Sequence, residues 1–260
     1  MSVPKMNKWI EDNPATPLFW GAQKKGMQPV EECKNQIPIS TKLFKEYNID
    51  REELWEMAQE NACLTAKKYW DAGYHQQIPN RLTHAFQMAE YIVTATDWDN
   101  FFALRLHDDA AQSEIKELAR CMKEALETAV MCAPRSGWHL PYVSNEDLEM
   151  HGLRKCKILS AARCCVISYN NHETDQPMSL EKAEKLFNHL VTDTNPHYTP
   201  LEHQARVLTV TEAIECLRAS SAFAHGPASK ARQCWYYANF AHWVSQRYEL
   251  EHDEETNLCT

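Results

Sequence analysis

Glycine is scarce in this chain, six in 260 residues, and none falls in a Gly-x-Gly-x-x-Gly or a Gly-x-x-x-x-Gly-Lys pattern. Both glycine-rich phosphate cradles, the Rossmann fingerprint and the P-loop, are thereby excluded. A Gly-x-Ser-x-Gly nucleophile elbow is missing too, and Ser220-Ser221 followed by His225 reads as a loop rather than a triad. No apolar run approaches the roughly 20 residues of a membrane span, and Met1 to Trp9 lacks the apolar stretch of a secretory signal. The expectation is a water-soluble protein of the cytoplasm, or of the host cytoplasm if phage-encoded, with no membrane partner. Positive charge is in deficit as well, 27 Lys and Arg against 36 Asp and Glu. A general nucleic-acid binder needs clustered basic residues, so no nucleic-acid partner is expected, although a few convergent arginines can still hold a phosphorylated small molecule. The ten cysteines form no Cys-x-x-Cys pair, which points to free thiols rather than a disulfide framework or a cysteine-based zinc site.

What is present reads as one helix-rich domain over 1–260 built from two modules, 1–133 and 153–260, joined by a connector at 134–152. The first forty residues, with Pro14, Pro17, Pro29 and Pro38, show no sustained period and read as irregular. Asp50, with Glu53 three residues on, marks a helix start, and Leu54, Met57, Ala58, Ala62 and Tyr69 recur at helical spacing until Gly73. A second helical stretch is expected from Pro79 towards Val93. A third, from Ala110 to Cys132, places Ile115, Leu118, Met122, Leu126 and Ala129 on one face. Ile158 to Tyr169 is apolar but undecided between helix and strand. Ser179 opens a helix burying Leu180, Ala183, Leu186, Phe187, Leu190 and Val191. Gln204 to Thr211, with Thr209, Val210 and Thr211 β-branched, is the clearest strand candidate.

Two constellations carry possible chemistry. In Asn100-Phe-Phe-Ala-Leu-Arg105, followed by Ala111-Gln-Ser-Glu-Ile115, a loop enters a helix beside a planar guanidinium that can grip a pyrimidine edge or a phosphate. The alternative is that Arg105 simply pairs with Asp108 or Asp109 at the surface. In His197-Tyr-Thr-Pro-Leu-Glu-His203 the spacing is not that of a helical zinc site and Pro200 interrupts any helical face, so no metal is expected. Thr199 and Glu202 there read locally as a helix N-cap and its capping-box acid.

Taken together, these runs resemble the flavin-dependent thymidylate synthases. The first resembles that family's Asn-Phe-Leu-x-Leu-Arg…Ala-Gln-x-Glu-Ile segment and the second its His-x-(Ser/Thr)-Pro-(Phe/Leu)-Glu-His motif. Ala162 to Tyr169 is similar to the Ala-Ala-Arg-Val-Ser-Tyr stretch. The resemblance covers roughly residues 10 to 210, with the motifs in the reversed order of rearranged phage members. The family's arginine-rich signature, which supplies much of the deoxyuridylate site, is not found; it would lie ahead of Ser2-Val3-Pro4.

The resemblance implies an α+β enzyme with a small antiparallel sheet, a homotetramer with shared sites, that reductively methylates dUMP to dTMP. FAD would be the cofactor, with NADPH and methylenetetrahydrofolate as co-substrates. Carried over by position, Arg105 would stabilise the ionised pyrimidine and Arg81 would contact the dUMP phosphate. Asn100, Leu104, Ser168, His197, Thr199 and Glu202 would line the FAD site. The alternative is a non-catalytic or incomplete subunit that keeps the fold, and some flavin affinity, but needs a further segment or partner for dUMP.

Overall fold

The computed structural model describes residues 1–23, 25, 31–40, 47–107, 111–129, 136–167, 178–192, 197–214, 236–237 and 240–252. Helices predominate across them, and the strands are two or three residues long and paired antiparallel, an α+β architecture. No helix among the described residues is long and apolar enough to cross a membrane. The chain forms two compact units, Met1–Ala89 with Phe101–Thr128, and Glu90–Asn100 with Ala129–Thr260.

The first unit opens with α1 (Val3–Asp12), which corrects the expectation of an irregular start. Pro4 lies in the first turn, where its missing N–H leaves no bond unmade. Val3, Met6 and Ile10 repeat at helical spacing, and Val3 and Ile10 are fully buried. This stripe is too short to stand out among Lys5, Asn7, Lys8 and Glu11. Next comes an antiparallel pair, β1 (Ile37–Ile39) with β2 (Tyr47–Ile49), in register Ile37 to Ile49.

Helix α2 (Arg51–Asp71) has the expected extent, and the chain turns at Gly73, whose φ of +87° is left-handed backbone that glycine adopts without strain. Asp50 occupies the N-cap position, yet its carboxylate accepts from Gln36 Nε2 at 3.1 Å and makes no capping bond. The buried stripe also differs from the expected one. Cys63 and Ala66 are buried whereas Met57, Ala58 and Tyr69 are exposed, because the small side chains let neighbouring elements approach closely. Those neighbours are α1 and a 3-10 helix (Pro79–Phe86). Ile10, Cys63 and Phe86 form the core, backed by Met6, Trp55 and Ala62, and burying Ile10 alone contributes about 2 kcal/mol. Polar bonds fix the same contacts: Asn7 Nδ2 donates to the Cys63 carbonyl at 2.9 Å and Trp55 Nε1 to the Ala15 carbonyl at 3.0 Å.

The second expected helix stops at Phe86. Gln87 is extended, and residues 87–98 are not helical. Ile92, Val93, Thr94 and Thr96 are β-branched and lose rotamer freedom in a helix. Helix α3 (Asp99–Arg105) follows, then α4 (Ser113–Thr128). On α4 the apolar positions fall at helical spacing as expected, but only Ala119 is buried; Leu118 remains 52% exposed and Leu126 44%.

The second unit is organised by a three-stranded sheet of β3 (Trp138–His139), β4 (Ala205–Val207) and β7 (Trp243–Ser245), in the order β3-β4-β7. A separate ribbon pairs β5 (Tyr236–Tyr237) with β6 (Phe240–Ala241). The expected connector holds β3 and the beginning of α5 (Asn145–Cys165), started by a complete Ser144–Asp147 capping box and broken at Gly152. The undecided apolar stretch from Ile158 is helical through Cys165. Leu159 and Ala162 pack against Ala183 of α6 (Leu180–Thr192), with Leu186 half-buried beside them. The expected strand over 204–211 is realised only at Ala205–Val207. Thr209 and Glu212 exchange capping hydrogen bonds and begin a helical turn at 210–214 instead. Helix α7 (Gln246–His252) runs on directly from β7.

Candidate functional site

In the second unit the run from His197 forms a 3-10 turn over Thr199–Glu202, with Pro200 in its opening positions. Leu201, fully buried, anchors the turn, and the His197 N–H donates to the Leu190 carbonyl at 2.9 Å, tying it to α6. Thr199 lies inside the turn, Tyr198 takes the N-cap position, and no side-chain capping bond forms. The capping box expected of Thr199 and Glu202 is therefore absent, because the Glu202 carboxylate accepts from Arg247 Nη1 of α7. One short turn thus presents an exposed imidazole (His197), an exposed hydroxyl (Thr199) and a half-exposed carboxylate–guanidinium pair.

At the end of the turn His203 Nδ1 lies 3.1 Å from Thr94 Oγ1. Burial holds the His203 imidazole below its ordinary value, with Glu202 opposing and His139 adding to the effect; burial does the same to His139. Gln204, fully buried, donates through Nε2 to Ser160 Oγ at 3.1 Å and to Cys164 Sγ at 3.4 Å. Burial pushes the Cys164 thiol up to about 12, so it is not a nucleophile at neutral pH. The six described cysteines are all free thiols.

A chain of charges joins β4, α5 and α7. Arg206 donates to Glu249 at 2.6 Å and, through both terminal nitrogens, to Glu212 at 2.7 and 2.8 Å. Lys157 Nζ reaches Glu249 at 3.2 Å and stands 3.4 Å from the centroid of the Trp138 ring. Arg206 holds the Glu212 carboxylate down to about 2, while burial lowers Lys157 against the pull of Glu249. Elsewhere in the unit Arg163 donates to Asp147 at 2.7 Å and to the Tyr142 and Met178 carbonyls.

In the first unit the candidate cations are placed differently. Helix α3, whose opening residues through Asn100 are counted with the second unit, carries Asn100, Leu104 and Arg105 within one run, Asn100 and Leu104 four residues apart on one face. Arg105 is exposed in the last turn, where a cation is favoured by the helix dipole. Arg81, on the 3-10 helix, is exposed as well. Neither makes a side-chain hydrogen bond or ion pair among the described residues. Asp108 and Asp109, the surface partners considered for Arg105, lie outside those residues, as does Ser168.

Among the described residues no three His, Cys, Asp or Glu side chains gather as metal ligands would. The sequence did not single out the Arg206–Glu249–Lys157 chain or the Thr94–His203 contact. The contact spans 109 residues, and Lys157 and Glu249 are 92 apart, distances over which no local spacing carries a signal. No family model matches the chain, nor does any curated protein or solved structure.

Proposed function

We propose that the chain has a flavin-dependent thymidylate synthase-like fold and serves the reductive methylation of dUMP to dTMP, working as a homotetramer in the cytoplasm. FAD supplies reducing equivalents, and methylenetetrahydrofolate and NADPH act as co-substrates. The observation that carries the reading is Arg105, a planar donor fork exposed in the last turn of α3, with no acid paired to it among the described residues. A guanidinium so placed can stabilise negative charge developing on a pyrimidine ring. Arg81, equally exposed, is suited to a phosphate oxygen. The Glu202 turn fits part of a flavin nucleotide: Thr199 and Glu202 offer a hydroxyl and acceptors for ribityl and ribose hydroxyls, His197 offers a ring nitrogen, and Leu201 backs them with apolar bulk. Asn100, Leu104 and Ser168 are assigned to the same cofactor on motif position alone.

One observation favours a second reading. Arg163 and Arg247 are engaged by Asp147 and Glu202, so the chain's own substitutes for an arginine-rich phosphate site are already committed. On that reading the chain is a flavin-binding subunit that obtains the remaining dUMP contacts from elsewhere. Tritium release from 5-tritiated dUMP, with FAD, NADPH and methylenetetrahydrofolate, separates the two. Turnover by the chain alone supports the enzyme. Flavin binding without turnover, with turnover restored by an added arginine-rich segment, supports the subunit. Failure to bind either flavin or dUMP defeats both.

A further inference from the structure

Helix α7 has seven residues, too few to hold its own position by helix formation alone. Its place is set by what its side chains reach. Arg247, in the first turn, meets Glu202 on the 3-10 turn. Two residues on, and so on a different side of the helix, Glu249 meets Arg206 of β4 and Lys157 of α5. The main chain adds two short ties at its start, Gln246 N–H to the Gln204 carbonyl at 2.8 Å and Tyr248 N–H to Ser245 Oγ at 3.2 Å. Both lie before Glu249, at the end of the helix that joins β7.

The partners of Glu249 are themselves fixed. Arg206 is locked by Glu212, whose carboxylate also takes the Thr209 N–H and hydroxyl at 2.7 Å each. Lys157 lies against the Trp138 ring, and Trp138 is buried. Glu249 thus joins a short helix to two cations that are themselves held, Arg206 by Glu212 and Lys157 by the Trp138 ring. Charged contacts of this partly buried kind resist disruption more than surface pairs, since a lost partner leaves the other charge poorly solvated.

We propose that Glu249 is a positioning residue for the flavin-binding turn: by holding α7 against Arg206 and Lys157 it aims Arg247 at Glu202 and so sets where the Glu202 carboxylate stands. The inference rests on the flavin reading of the Glu202 turn for its functional meaning, while the mechanical link from Glu249 to Glu202 is independent of any ligand. Glu249 touches no substrate or cofactor in this scheme.

The test uses the full chain as wild type and as Glu249→Gln, Glu249→Asp and Arg247→Lys. Three readouts are taken: FAD affinity by fluorescence titration, thermal midpoint by circular dichroism, and amide exchange of Leu201, whose N–H bonds the Tyr198 carbonyl at 2.9 Å. Glu249→Gln keeps the shape and removes the charge. It is expected to weaken FAD binding about tenfold, the size of coupling seen between residues sharing one network, and to speed Leu201 exchange. Glu249→Asp should recover part of the affinity at a similar thermal midpoint, a rescue that loss of bulk packing does not give. If wild type binds FAD and Glu249→Gln binds it equally well, the inference is overturned and the flavin reading stands. If wild type does not bind FAD, the flavin reading fails, and exchange at Leu201 decides the link: acceleration in both Glu249→Gln and Arg247→Lys upholds it, and no change in either overturns it.

Discussion

Among the described residues the first unit's candidate cations, Arg81 and Arg105, meet no acid, whereas the second unit's, Arg163 and Arg247, are already matched. Arg81 and Arg105 are exposed and without internal partners among the described residues, while Arg163, Arg206 and Arg247 each face a carboxylate. The contrast separates two uses of the same side chain. An arginine that is already neutralised fixes a backbone; one that is not can meet a ligand's charge. It follows that changes in the second unit should act on stability first, and changes at the first unit's arginines on chemistry first.

The sharpest way to break that division is Arg206→Met, which leaves Glu212 and Glu249 half-buried without their shared cation. The expected loss is about 4 kcal/mol of folding stability, measured by urea denaturation. A loss within experimental error would mean that the charges are solvated and hold nothing. Arg105→Ala is the counterpart: turnover should fall by about 3 kcal/mol in the barrier, with the thermal midpoint and FAD occupancy unchanged. A large drop in thermal midpoint would instead make Arg105 structural.

Acid should act on the second unit in two steps. His139 and His203 are held below the ordinary 6.5, so the unfolded chain takes up their protons first and stability declines as pH falls below that value. Glu212 titrates at about 2 when folded against 4.5 unfolded, so its contribution is present above 4.5 and is lost as pH falls from there towards 2. Urea midpoints measured against pH should show both declines in wild type and a shallower lower one in Glu212→Gln, the remainder coming from Asp147, which Arg163 holds low against its burial. An identical profile for the two proteins would remove Glu212 from the lower step. The smallest effect is expected at Asp50. Its side chain makes no capping bond, so Asp50→Ala should cost less than the roughly 1 kcal/mol typical of an engaged N-cap, and a full 1 kcal/mol loss would show that the cap forms in solution.

Legibility followed the range of the interaction. The extent of α2 was readable because helical spacing and Gly73 are local, and so was the start of α6 after Ser179. The buried stripe of α2 was not: which face is covered depends on α1 and on Phe86, which lie far from it in sequence, and the small Cys63 and Ala66 differ little in local pattern from the exposed Ala58. The overlong strand at 204–211 was a local misreading, since Thr209 and Glu212 already spell a capping box and the β-branched run concealed it. At the candidate site, the separation of His197, Thr199 and Glu202 onto one proline-started turn was readable, but the partner of Glu202 was not. Arg247 lies 45 residues away and reaches the turn only because β7 and β4 pair.

Gly152 has a consequence of its own. At φ 73° and ψ 164° it holds backbone that is essentially closed to residues with a side chain, although a Cβ built there would meet nothing within 4 Å. The requirement is thus for the conformation and not for room. Rotating the chain by that much in mid-helix restarts the helical phase, so the residues before Gly152 and those after it keep separate rhythms, like two bars of music in different time joined without a rest. Averaged over all 21 residues the two rhythms cancel, and α5, which supplies Leu159, Ala161 and Ala162 to the interior, sounds in the sequence like no helix at all.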